Sequence, residues 1–150
     1  MVIEKHSVNL IKAAVFSGLL NGIINGIINW FQVKDNTELF LTVDSISSGS
    51  HTVLGGAVIL ATTLAIILTS IGYFTFKAPD KPSYFPGVFL LTLKNAFFTF
   101  GILTTLSILL QRVAGSISVT SVTAAFIVAM IAALVAGTID YMTKKELLRR

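Results

Sequence analysis

The chain has 150 residues, of which 54% are apolar and 12% are charged, and its formal net charge is +4. Soluble domains carry about 25% charged residues, so this composition indicates an integral membrane protein. The sequence contains no cysteine, which excludes disulfides, thiolate nucleophiles and thiolate metal sites.

Four apolar segments are long enough to cross a bilayer, at about 10–31, 52–76, 86–111 and 117–142. Because they are continuous runs without a two-residue alternation, they favour helices over barrel strands. The sequence therefore predicts an all-α protein with one domain over 1–150, a bundle of four transmembrane helices. Its first loop, 33–50, is the only long connection.

The basic residues predict the orientation of the chain. With four spans, the two termini and the 77–85 loop share one side of the membrane. That side carries most of the lysines and arginines, namely Lys5, Lys12, Lys77, Lys81, Lys144, Lys145, Arg149 and Arg150, with Lys94 near it. The other side has only Lys34 and Arg112. The positive-inside rule then places both termini in the cytoplasm, and we expect the cytoplasmic membrane of a bacterium. Basic residues at membrane edges argue for a lipid partner and against nucleic acid.

The first span repeats small and polar residues every four positions. One row is Gly18, Gly22 and Gly26, and the row beside it is Asn21, Asn25 and Asn29, extended by Ser17. Residues four apart lie on the same helix face, so the glycine row predicts close packing against another helix. That helix is either another span of this chain or the same span of a second subunit.

The asparagine row has two interpretations. Amide groups one helical turn apart could line a path for an ion or a small polar solute, replacing its hydration shell. Alternatively, each asparagine could bond to Ser or Thr on a neighbouring span and only hold helices together. On the first interpretation, we expect Ser17, Thr62, Thr63 and Thr99 to be further residues of the path.

The connections between the spans support fewer predictions than the spans themselves. We expect Leu39 to Val43 in the first loop to rest on the membrane surface. His51, which follows that loop, is a lone histidine, and a role in titration or metal binding is disfavoured. The prolines of the 77–85 loop make it stiff, so spans two and three should be neighbours.

Two charged residues lie within or beside the later spans. A long lysine side chain at Lys94 can reach the membrane edge, which is the favoured interpretation, while the alternative is an ion pair with Asp140. For Asp140 itself, a partner one turn further along the helix, Lys144, is the favoured interpretation.

The fourth span carries small residues every four positions. Ser121 begins this row, which continues through Ala125, Ala129, Ala133 and Gly137. Such spacing allows the backbone of another helix to approach closely. We therefore expect these residues to form a helix-packing face.

A faint internal repeat relates the two halves of the chain. Residues 11–17 resemble 93–99, with Lys12, Ala14 and Phe16 matching Lys94, Ala96 and Phe98, and residues 71–77 resemble 139–145. Two hairpins of equal orientation would arise by duplication about an axis along the membrane normal. The alternative is chance similarity between apolar segments of like composition.

No metalloprotease motif, nucleophile elbow or phosphate-binding loop is present, so we expect neither an enzyme nor a metal or other cofactor. Four spans can hardly enclose a wide pore, which predicts a homo-oligomer. The favoured function is a small channel or transporter for an ion or polar solute. The alternative is an accessory membrane subunit whose glycine and alanine faces dock a partner protein.

Overall fold

The computed structural model describes the backbone of residues 2–36, 38–42, 52–76 and 82–149, and side chains from residue 9 onwards. Several predicted features lie outside this description: Val43 of the first loop, His51, residues 77–81 with their two lysines, the side chain of Lys5, and Arg150.

Four helices make up most of the protein. They are α1 (Val2–Val33), α2 (Val53–Thr75), α3 (Phe89–Ala114) and α4 (Ser121–Arg149), and a π-helical turn at Tyr84–Val88 leads into α3. Each is long and apolar enough to cross a membrane, which confirms the prediction of four such helices. An apolar helix satisfies its own backbone groups, so these segments need no other secondary structure in lipid.

A short two-stranded ribbon joins the two interhelical connections. Strand β1 (Leu39–Thr42) pairs antiparallel with strand β2 (Ile117–Val119), and Leu39 lies opposite Val119. The Thr42 Oγ1 donates a hydrogen bond of 2.7 Å to the carbonyl of Gly115. Residues 39–42, which we expected to rest on the membrane surface, are therefore paired with another loop. The fourth helix begins at Ser121 rather than at about 117, because the preceding residues form β2. We call this end of the protein the ribbon end.

The helices lie side by side in the order α1, α4, α2, α3. Helix α4 packs along α1 on one side and along α2 on the other, α2 packs on α3, and α3 contacts α4 at only a few positions. Correspondingly, 33% of the residues in an apolar 18-residue stretch of α2 or α4 are buried, whereas the share is 17% in α1 and α3. Helices α2 and α4 therefore form the centre, and α1 and α3 form the flanks.

The glycine row of α1 packs on the small-residue row of α4. A Cβ added to Gly18 would stand 2.7 Å from the carbonyl oxygen of Ala133, and one on Gly26 would stand 2.7 Å from the Cβ of Ala129. Real Cβ atoms do not approach so closely, so both positions require glycine while α4 keeps its present residues. The partner of the glycine row is thus another span of the same chain.

The central contact between α2 and α4 is also built from small side chains. Ala61 and Ala65 on α2, and Ala132 and Ala136 on α4, are completely buried. Small residues let the two backbones approach closely, which increases van der Waals contact where lipid provides no hydrophobic driving force between helices.

Candidate functional site

The asparagine row of α1 lies beside the α1–α4 contact. Because the glycine row faces α4, the neighbouring row is turned towards the space between α1 and α2. Asn21, Asn25 and Asn29 are all partly buried there. The row on the other side of the asparagines, Leu20, Ile24 and Ile28, consists of exposed apolar side chains suited to lipid.

The amide groups of this row bond back to their own helix. The Nδ2 of Asn21 donates to the carbonyl of Ser17 at 2.9 Å, and the Nδ2 of Asn25 donates to the carbonyl of Asn21 at 2.8 Å. Within the described part of the chain, no amide of the row bonds to another helix. Since each of these bonds uses one of the two N–H groups of the amide, the second N–H and the Oδ1 are left to meet other groups.

A cavity of about 410 Å³ lies between α1 and α2 at the ribbon end. Helix α4 contributes Val128 to it, and the connection after α1 contributes Asn36 and Leu39. The polar side chains of its wall are Asn25, Asn29, Gln32, Asn36 and Thr52. We call this space the ribbon-end cavity. Its size falls within the range of about 300–1,000 Å³ typical of small-molecule sites.

Asn29 carries the most informative atom in this wall. Its Oδ1 is shielded from solvent and accepts no hydrogen bond. A buried amide oxygen without a donor costs roughly 1–3 kcal/mol, so native structures normally provide one. Because this oxygen is shielded, it would meet a ligand with an N–H or O–H group only after the amide of Asn29, which lines the cavity, has rotated.

The part of the ribbon-end cavity's wall that the structure describes is electrically neutral. None of the thirteen described residues that line it has an ionisable side chain. Lys34 and Asp35 follow α1 directly, but both are exposed and neither belongs to the wall. The cavity thus offers hydrogen bonds without a fixed charge to balance an ion.

The structure brings together only part of the predicted path. Asn21 and Ser17 lie on the same row of α1 but not on the cavity wall. Thr62 and Thr63 donate to the carbonyls of Val58 and Ile59 in their own helix. Thr99 lies in a different and almost wholly apolar cleft of about 210 Å³ between α3 and α4.

The charged candidates are at the opposite end of the helices from the ribbon. The Nζ of Lys144 lies 2.7 Å from the Oδ2 of Asp140, one helical turn away, and the carboxylate side chain is 9% exposed. Lys94 is exposed on α3. The structure thus pairs Asp140 with Lys144 and not with Lys94.

A buried polar junction of α2, α3 and α4 was not singled out from the sequence. Asn95 is completely buried, and its Nδ2 donates to Thr69 Oγ1 at 3.0 Å and to Thr143 Oγ1 at 3.4 Å. The Thr69 hydroxyl in turn donates to the carbonyl of Ala65 at 2.7 Å. The available signal was the spacing of Thr92, Asn95 and Thr99, which places three polar residues on one face of α3.

A second polar cavity lies on the other side of α2, towards α3. It has a volume of about 280 Å³, and β1 closes it at the ribbon end. Its polar residues are Thr42, Thr52, Thr104, Ser107 and Gln111. The hydroxyl of Thr104 is shielded and without a hydrogen-bond partner. Thr52 belongs to both cavities, so the first turn of α2 separates them.

The described residues contain no group of three or more His, Cys, Asp or Glu side chains that could hold a metal ion. In comparisons with protein-family models, with curated proteins and with solved structures, nothing matches this chain. The proposals below therefore rest on the chemistry of the residues alone.

Proposed function

We propose that this protein is a small membrane channel or transporter for a polar solute, which enters through the ribbon-end cavity. The observation that carries the proposal is a 410 Å³ cavity between two apolar helices whose wall includes the amide side chains of Asn25, Asn29 and Gln32. Polar groups within membrane helices are costly, and where they line a cavity they commonly mark a solute pathway.

The basic residues support an outward-facing position for this cavity. Among the described side chains, the end opposite the ribbon carries Lys12, Lys94, Lys144, Lys145 and Arg149, all on the termini side, whereas the ribbon end carries Lys34 and Arg112. By the positive-inside rule the termini are cytoplasmic and the ribbon end faces outwards. The solute would then enter from outside the cell.

The helix contacts support an origin by duplication. Exchanging the two hairpins turns α1 into α3 and α2 into α4, so the α1–α4 contact corresponds to the α3–α2 contact. Both contacts are present, and the equivalent strands β1 and β2 pair antiparallel, as a two-fold axis requires. The matched Ala14 and Ala96 are each 7% exposed. Parallel repeats of this kind occur in established transporter folds.

The accessory-subunit alternative depends on free glycine and alanine faces. In the structure Gly18, Gly22 and Gly26 pack on the alanine row of α4, so much of both rows is used within the chain. The ribbon-end cavity, moreover, lies within one chain, so a solute site does not require several chains to meet along α1. We keep the homo-oligomer as a prediction, which native mass spectrometry of the detergent-solubilised protein would measure.

Flux through proteoliposomes tests the proposal. The probes are urea and glycerol, followed by light scattering, and radiolabelled rubidium ion, with protein-free liposomes as the baseline. Wild-type protein should carry at least one probe, and Asn29→Leu should abolish this flux. Asn21→Leu is the matched control, because Asn21 shares the row but not the cavity wall. If wild type carries no probe, or if Asn29→Leu leaves a folded protein with full flux, the proposal is wrong.

A further inference from the structure

We infer that the solute of the ribbon-end cavity is uncharged and carries N–H or O–H donors together with an acceptor, as small amides, ureas and polyols do. This inference rests on the proposed function and names its substrate class. Three features of the cavity carry it: the atoms its wall presents, the absence of charge, and its size.

The α1 wall presents amide groups, which both donate and accept hydrogen bonds. The Asn25 Nδ2 donates one N–H to a backbone carbonyl, which leaves its second N–H and its Oδ1 for other partners. Asn29, one helical turn further on, and Gln32 also line the cavity. A solute with both donors and acceptors can therefore bridge successive amides along α1, which water satisfies only with several ordered molecules.

The α2 wall complements the α1 wall. It begins with Thr52 and Val53, and the Thr52 Oγ1 accepts from the backbone N–H of Gly55 at 3.0 Å. Since this hydroxyl already accepts, its proton remains available to donate. The cavity thus combines the amide groups of α1 with a hydroxyl on the α2 side. A solute with both kinds of group, such as a urea or an amide, fits this arrangement.

The neutral wall disfavours ions of either sign. Moving an isolated ion from water into a poorly polar site costs far more than moving an uncharged polar group, unless opposite charge compensates it. Within the described ranges, no ionisable side chain lines this cavity.

The size of the cavity separates a neutral solute from a dehydrated cation. A water molecule takes about 30 Å³ of liquid, so 410 Å³ corresponds to on the order of ten waters. Filters that strip a cation of its water enclose it within a ring of oxygens in direct contact. This cavity is too wide for that, whereas it accommodates a solute of several heavy atoms.

Two isosteric pairs of probes test the inference. Urea and guanidinium have the same planar shape but differ in charge, and so do acetamide and acetate. In proteoliposomes, with protein-free liposomes as the baseline, wild type should carry each neutral probe at least about tenfold faster than its charged counterpart. Asn29→Asp places a carboxylate at the unpaired position and should raise guanidinium flux about tenfold over wild type, because a carboxylate pairs guanidinium bidentately.

The outcomes separate this inference from the proposed function. If guanidinium, acetate or rubidium crosses as fast as urea, the solute class is wrong while a transport function stands. If no probe crosses, both the function and the inference are wrong. If wild type prefers urea but a folded Asn29→Asp protein keeps the same selectivity, selectivity arises elsewhere, and the assignment to this cavity is overturned. Size-exclusion chromatography and circular dichroism establish that each variant is folded.

Discussion

Gly18 of α1 lies so close to α4 that a Cβ on it would stand 2.7 Å from the backbone oxygen of Ala133. We expect Gly18→Ala to destabilise the protein by about 1–3 kcal/mol, the usual cost of overpacking a well-packed contact. Unfolding in mixed micelles measures this. Gly101→Ala is the control, since nothing lies within 4 Å of a Cβ there. It should leave stability unchanged or raise it by at most about 1 kcal/mol. Equal losses for the two variants would contradict the close contact.

The clash at Gly26 is with a side chain and not with the backbone, so a second substitution on α4 should relieve it. Here the nearest atom to an added Cβ is the side-chain Cβ of Ala129, at 2.7 Å. Gly26→Ala alone should destabilise, and Gly26→Ala combined with Ala129→Gly should recover most of the loss. The same measurement with Gly18→Ala and Ala133→Gly should show no rescue, because that clash is with a backbone oxygen that no substitution removes. Rescue of both pairs, or of neither, would contradict the geometry.

The Asn95 junction should depend on the hydroxyl of Thr69. Thr69→Val keeps the shape of the side chain but leaves the buried Nδ2 of Asn95 with only the longer bond to Thr143. We expect a loss of about 1–2 kcal/mol, the cost of a poorly satisfied buried donor. Thr63→Val is the matched control, because Thr63 is exposed and bonds only to its own helix. A double-mutant cycle with Asn95→Ala should give a coupling energy of about 1 kcal/mol. Zero coupling would contradict the bond.

The ribbon predicts a specific cross-link. The chain has no cysteine of its own, so two introduced thiols can be followed without background. Leu39 and Val119 lie opposite each other, and such pairs have Cα separations of about 4.5–5.5 Å, within the range of a disulfide. Mild oxidation of Leu39→Cys with Val119→Cys should therefore cross-link the two loops, as a mobility shift on gels. Phe40→Cys with Val119→Cys should not, since adjacent strand residues point to opposite faces.

The helices were the most predictable part of the protein, because each apolar run of spanning length has to satisfy its backbone internally. The two packing rows were also readable from their spacing. The sequence did not predict that these two rows pack on each other, because a row of glycines fits any small-residue face equally well. Only the folded structure shows that the partner of the glycine row is α4. The ribbon was missed because strands of four and three residues carry no periodicity that distinguishes them from loop.

The candidate site was harder to predict, because it depends on an absence of contact. Asn25 and Asn29 line a cavity because α1 packs on α4 and leaves a gap to α2. The spacing of residues along one helix does not reveal which other helix it fails to contact. Asn95 was overlooked beside Lys94, whose charge is the more conspicuous signal. Yet the lysine is exposed, and the amide next to it is the residue that joins three helices.

The two kinds of contact along α1 also determine how this protein can change over generations. At Gly26 and Ala129 the bulk of one side chain can be exchanged for that of the other, so descendants can carry either residue at either position if both change together. At Gly18 the obstacle is the main chain of α4, which every descendant inherits whatever residue stands at 133. The α1–α4 contact can therefore accept paired substitutions at Gly26 and Ala129, whereas position 18 is confined to glycine.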